Sequence, residues 1–284
     1  MSNLIDVRNL TKEYGDFALR DVSLTVPEGS VIGLVGENGA GKTTLLRAIM
    51  GLLKPDGGAV TLMGGDPTAA DRRVEVAAVF EDSFFFEGLN AGQIGKIMRG
   101  AVSGWDETRF RQLKKDFRLE DSKPVKEYSK GMRMKLNLAV ALARSPRLLL
   151  LDEPTSGLDP VMRGELMDIL LEFMQDEHRA ILISSHITSD LERIADQIAY
   201  IHGGRLLFQR DKLELMEDMA VVRCSSDRLD ALPAELVIAR KGGAFGASAL
   251  VRRPEQVRRL LPDAVVDAAS IDDMMRFYAG RDAQ

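Results

Sequence analysis

Short apolar runs recur along this chain, and their period changes from one stretch to the next. Alternation and β-branching predict strands at Leu4–Val7, Leu19–Val26 and Val31–Val35, with Pro27-Glu28-Gly29 turning between the last two. The third run leads into a glycine-rich stretch and then a helical repeat with Leu45, Leu46 and Ile49, which Gly51 can end. Strands are predicted again at Ala59–Met63 and Val76–Phe80. From about Asn90 to Ser145 the period becomes helical. Asp106 can cap a helix carrying Phe110 and Leu113, and Ser129 one carrying Leu136, Val140 and Ala143. Leu148–Asp152 is apolar up to its last residue, as a strand covered on both faces should be. Asp159-Pro160 opens a helix with Leu166, Ile169, Leu170 and Phe173 on one face. A strand at Ala180–Ser184, a helix near Asp190–Ile194 and strands at Gln197–Ile201 and Arg205–Phe208 follow. This order predicts an α/β fold: a three-layer core with a helical insertion.

Past Lys212 the texture changes. Strands are predicted at Ala220–Cys224, Leu236–Ala239, Ala249–Arg252 and Ala264–Val266, and Pro254 can open a helix through Leu261. Ser270–Asp273 reads as a capping box for a last helix with Ile271, Met275 and Tyr278 inward. The expected division is 1–212, with its helical part at about 84–145, and a small α+β domain at 213–284. The latter is marginal alone and is expected to dock on something.

Composition narrows the classes. The net charge of −5, from 38 basic and 43 acidic residues, gives no global attraction to nucleic acid or anionic lipid. Cys224 is the only cysteine, which excludes an intrachain disulfide framework. No run approaches the ~20 apolar residues of a membrane-spanning helix, and the charged N-terminus lacks a signal peptide's apolar stretch. A cytoplasmic location is expected.

The chemistry starts at Gly36-Glu37-Asn38-Gly39-Ala40-Gly41-Lys42-Thr43-Thr44, which fits G-x-x-x-x-G-K-[ST] between a strand and a helix. Such glycines let consecutive N–H groups turn inward as a nest for phosphate oxygens, and the following helix adds its positive end. Lys42 supplies a point charge, and the Thr43 hydroxyl can ligate Mg²⁺. A second site is the pair Asp152 and Glu153 at a strand's C-terminal end, where ligands bind in open α/β sheets. Asp152 would hold Mg²⁺ through water, and Glu153 is placed to polarise an attacking water.

GENGAGKTT, YSKGM, LLLLDEPTSGLDP and ILISSHI occur in this order. Together they resemble the Walker A, signature, Walker B plus D-loop and switch-histidine motifs of ATP-binding subunits of ABC transporters, over about residues 2–210. The resemblance implies a P-loop NTPase core with an antiparallel β subdomain, ATP and Mg²⁺ as cofactors, and ATP hydrolysis. Tyr14 stands where the family stacks an aromatic ring on adenine, although it also reads as a surface tyrosine. Ser129 and Gly131 match the signature and would act on the nucleotide of a second copy. Asp159 matches the D-loop aspartate and can also cap its helix. His186 matches the histidine that contacts the γ-phosphate. The implied partners are a second copy of the chain and a separate integral-membrane permease, with membrane contact only through the latter.

Two positions depart from the pattern. YSKGM replaces the commoner LSGGQ, so Lys130 stands for a glycine and either adds charge near phosphate or points to solvent. Glu81 stands for the Q-loop glutamine and can still reach Mg²⁺ or its waters. Both variants resemble those of bacterial export-type subunits, including antibiotic exporters. Phe84, Phe85 and Phe86 form either a permease-docking cluster or packing under the helical insertion. A DNA-repair or ribosomal relative is disfavoured by the single cassette, single cysteine and lack of heptads. A binding module without turnover is disfavoured by the intact Asp152, Glu153 and His186.

Overall fold

The computed structural model of the chain describes residues 2–81, 85–243 and 246–279. Two compact units are seen, one extending to Ala195 and including Ala199–Gln209, the other comprising Asp196–Ile198 and the chain from Arg210. The first unit's elements, in order, are β1 (Asn3–Tyr14), β2 (Phe17–Pro27), β3 (Val31–Val35), α1 (Lys42–Ile49), β4 (Gly57–Leu62), α2 (Ala70–Val74) and β5 (Val76–Val79). Then come α3 (Ala91–Ala101), α4 (Glu107–Asp116), α5 (Lys130–Leu142), β6 (Leu148–Asp152), α6 (Pro160–Phe173), β7 (Ala180–Ser185), α7 (Thr188–Ile194), β8 (Gln197–His202) and β9 (Arg205–Asp211).

The central sheet has the order β5-β6-β7-β3-β8-β9, and β5, β6, β7 and β3 run parallel. β3, β6 and β7 are buried along their whole length, which is why their sequences are near-continuous apolar runs, with β6 and β7 ending in polar residues. Their register sets Asp152 beside Ser184 and Val35 beside Ser185, so three strand ends deliver Gly36, Asp152-Glu153 and His186 to one edge. A second sheet, β2-β1-β4, is antiparallel. Its apolar face packs over α1, in one core with Leu34, Leu45, Leu150 and Leu182. The layers are those of a P-loop NTPase.

Between β5 and β6 lies the helical insertion. Asn90 closes a capping box on α3, Asp106 caps α4 through the amides of Thr108 and Arg109, and Ser129 caps α5 through Met132. Phe110 and Leu113 are buried, as their spacing predicts. The five-residue α2 lies below the length at which periodicity is readable.

The second unit runs α8 (Lys212–Asp218), β10 (Met219–Cys224), α9 (Ser226–Asp230), β11 (Val237–Gly243), β12 (Gly246–Arg252), α10 (Pro254–Leu260), β13 (Val265–Ala268) and α11 (Ile271–Ala279). From β10 to β13 this is βαββαβ with sheet order β11-β12-β10-β13, every pairing antiparallel: the split-βαβ, ferredoxin-like arrangement. One face packs Val222, Ala249 and Val251 against Leu229 of α9 and Val257 of α10. On the other, Val221 pairs with Leu250, and α11 lies over β11 and β12. Ser270 and Asp273 do form the reciprocal cap of α11. The inward face differs from the expected one: Met274 and Phe277 are buried with Ile271 and Tyr278, while Met275 is only half-buried. Two adjacent methionines share the same hydropathy, and helical phase decides between them.

Leu250→Ala removes a fully buried side chain from this sheet. It is expected to cost about 2–5 kcal/mol, seen as a lower urea midpoint with native far-UV circular dichroism retained before the transition.

Candidate nucleotide site

The loop from Gly36 to Gly41 joins β3 to α1, and its shape is fixed from outside. A Cβ at Gly36 would stand 2.4 Å from the Ile201 carbonyl oxygen of β8, so only glycine fits there. Gly41 has φ 109°, a left-handed backbone that glycine adopts freely. The amide of Gly204, in the β8–β9 turn, donates to Ala40 O at 3.1 Å, and His202 Nδ1 lies 2.7 Å from Glu37 Oε1. α1 begins with no side-chain cap and no acidic residue in its first turn, so its amides and positive end remain available to an anion. Thr43 and Thr44 sit half-buried in that turn.

Lys42 is 6% exposed. Its ammonium donates to Gly36 O at 2.6 Å and Glu37 O at 3.1 Å, and lies 3.1 Å from Glu153 Oε1. The Thr43 hydroxyl donates to Asp152 Oδ2 at 2.7 Å, and the Ser184 hydroxyl donates to Asp152 Oδ1 at 2.7 Å. Ser184 Oγ also accepts the Glu153 amide at 3.0 Å. Glu153 has φ 49°, a left-handed conformation that costs a non-glycine residue about 1–3 kcal/mol. Its Oε2 is 2.6 Å from His186 Nδ1 and accepts the His186 amide at 3.2 Å. One carboxylate is thus held between a lysine and a histidine, and the other between two hydroxyls.

Glu81 follows β5 and lies 3.0 Å from the Lys130 ammonium at the first residue of α5. The Lys130 hydrogen bond holds the Glu81 carboxyl below the usual carboxylate range against a smaller opposing burial penalty; the Lys130 charge, the Ser156 hydroxyl and His186 act in the same direction as the bond. Lys130 therefore does not point to solvent alone: it meets Glu81 of its own chain.

The other expected residues have partners of their own. Ser129 caps α5, and because its oxygen accepts from Met132 N at 3.2 Å its own proton is free to donate elsewhere. Gly131 is buried against α6, where a Cβ would stand 2.6 Å from Met162 Cε. Asp159 caps α6 through the amides of Val161 and Met162, both at 3.0 Å. Glu37, Asn38, Gly39 and Ala40 line a recess of about 320 Å³ with Phe17 and Arg20. Tyr14 is not in that lining: it is 44% exposed, with the Lys12 ammonium 5.6 Å from its ring centre. Phe17 was missed by sequence reasoning because it sits three residues past the position the motif marks. Ser184 was missed as well, though a serine in a wholly buried strand signals that a partner awaits it.

Thr43 and Asp152 offer hard oxygen donors. Among the described residues no group of three or more His, Cys, Asp or Glu side chains could hold an ion unaided. The donor set therefore fits a magnesium ion that brings phosphate and water ligands of its own rather than one held in a protein cage.

The ABC transporter family model matches residues 19–156. The lantibiotic transport ATP-binding protein SrtF of Streptococcus pyogenes is 34% identical over 210 residues, 73% of this chain and 91% of that protein. The daunorubicin/doxorubicin resistance ATP-binding protein DrrA of Streptomyces peucetius is 32% identical over 281 residues, 91% of this chain and 84% of its own, so that likeness extends into the second unit. A solved ATP-binding subunit of an ABC transporter superposes with TM-score 0.68 at 29% identity, covering 75% of this chain and 91% of that one. A strand–P-loop–helix junction facing a buried Asp-Glu pair, in a chain with these relatives, leaves one assignment: the protein belongs to the ABC transporter family as an ATP-binding subunit, an ATPase.

Proposed function

We propose that this chain hydrolyses ATP at the Lys42–Asp152–Glu153–His186 cluster and that the hydrolysis drives export through a separate membrane permease. The observation that carries the reading is the Glu153 carboxylate, buried and gripped by Lys42 and His186 beside a phosphate-binding loop. The inward amides of Gly36–Thr44 and the start of α1 cradle the phosphates, and Lys42 exchanges its carbonyl partners for phosphate oxygens. Magnesium, when bound beside Thr43 and Asp152, supplies charge neutralisation to the phosphate oxygens. Glu153 accepts the proton of the attacking water as its oxygen bonds to phosphorus and the bond to the ADP oxygen breaks. His186 holds Glu153 through Nδ1 and, with Lys42, stabilises the charge that develops. Glu81 reaches the same site from the end of β5.

Ser129, Gly131 and Asp159 complete the reading as residues that serve a second copy. What supports it is that the Ser129 proton has no capping duty and that Ser129, Gly131 and Asp159 find their partners in α5 and α6 rather than in the Lys42 cluster. Two copies then enclose two ATP molecules and part after hydrolysis. Phe17 lines the recess beside the cradle, and Tyr14 is its register partner across the β1–β2 turn, so either ring is a candidate to meet the base.

The permease is proposed to dock at the helical insertion. Phe86 is 83% exposed and Ile97 is exposed, while Phe85 enters a recess of about 220 Å³ with Val79, Phe80, Met98 and Val140. The two readings of the phenylalanine cluster thus divide between neighbours, and Phe84 lies outside the described residues. Among the described residues no helix is long and apolar enough to cross a membrane. A peripheral place on the inner membrane face follows from the permease contact.

Phosphate release and co-purification from membranes test the function: magnesium-dependent turnover and a retained permease support it, and absence of ATP turnover in the intact complex overturns it. Lys42→Ala is expected to lose most ATP affinity, read by calorimetry. Glu153→Gln should keep ATP binding while hydrolysis falls about 10²–10⁴-fold, with a dimer accumulating in size-exclusion chromatography.

A further inference from the structure

The two residues that depart from the family pattern are found together. Glu81, at the end of β5, and Lys130, at the start of α5, are 49 positions apart in sequence, and their charged groups are 3.0 Å apart. Lys130 also rests on the loop that links Glu153 to Asp159, since a Cβ at Gly157 would stand 3.1 Å from its Nζ. One ammonium therefore touches the β5 end and the β6–α6 loop while rooted in the signature helix.

The pair is nearly half exposed, 46% for Lys130 and 47% for Glu81. At that exposure an ion pair adds little to stability, so fold maintenance does not account for it. Charge at the site does. Glu81 is a third carboxylate, hydrogen-bonded to Ser156 in the loop after Glu153 and within electrostatic reach of the His186 that holds Glu153, beside a site read as receiving a polyanion. Lys42 is engaged with Glu153, and without Lys130 the Glu81 carboxylate would be free to swing toward that polyanion.

We propose that Lys130 is a positioning residue that acts through Glu81: within one subunit it holds the Glu81 carboxylate in place. A uniform positive charge aimed directly at phosphate is the competing role for the same lysine. The two differ in one respect. If Lys130 acts through Glu81, its removal matters only while the carboxylate is there.

The proposal rests on the ATPase reading, and a double-mutant cycle on the full-length protein tests it. Two quantities are read: kcat/KM for Mg-ATP, and the affinity for a fluorescent ATP analogue in EDTA. Lys130→Met is expected to lower both by roughly three- to tenfold, the scale of one nearby charge. Lys130→Arg retains both. In a Glu81→Gln background, Lys130→Met should change neither by more than about twofold. Losses that multiply across the two substitutions overturn the proposal, as does a Lys130→Met protein indistinguishable from the parent. Lys130→Gln repeats the cycle should the methionine variant fold poorly. A parent protein that neither binds nor hydrolyses ATP defeats the ATPase reading instead, whereas a competent parent with multiplying losses defeats only the pairing.

Discussion

Two carboxylates at the end of a fully buried strand are the constraint around which the first unit is organised. Asp152 is 4% exposed and Glu153 9%, and an uncompensated carboxylate there would cost several kcal/mol. Every neighbouring element answers that demand. α1 sends Lys42 and Thr43, β7 sends Ser184, and the residue after β7 is His186. The same groups that make the carboxylates tolerable are those a triphosphate and its metal would use. Stability of the site and its chemistry therefore rest on one set of charges.

Close approach does the rest of the positioning. The β8–β9 hairpin presses the Ile201 carbonyl onto Gly36 and bonds Gly204 to Ala40, so the phosphate loop is held between two strands rather than left to its own flexibility. Glycine is needed at Gly36 for space and at Gly41 for its backbone angle, two different reasons within one motif.

Much of this was legible in the sequence. β3, β6 and β7 announce themselves because strands buried on both faces must be apolar throughout, and the polar residues ending β6 and β7 mark the site edge. Asp106, Ser129, Asp159 and Ser270 were readable as caps because few side chains can satisfy helix-start amides. What was not readable depends on contacts far apart in the chain. Nothing local to Lys130 says that it meets Glu81, and nothing local to Phe17 says that it lines the recess. α8 and α9 went unseen because five to seven residues hold too few turns for a period to show; α10, equally short, was readable only because Pro254 marks its start. The α11 face was misjudged by one residue because Met274 and Met275 are chemically identical. Pattern fixes which faces are apolar; pairings across the fold need coordinates.

The left-handed backbone at Glu153 carries an evolutionary corollary. Glutamate is torsionally ill at ease there, whereas asparagine and glycine occupy such angles readily. A chain drifting away from turnover would thus meet little backbone resistance at this position and would even shed strain by abandoning its carboxylate. Glutamate at this angle sets durability and work in opposition at a single residue.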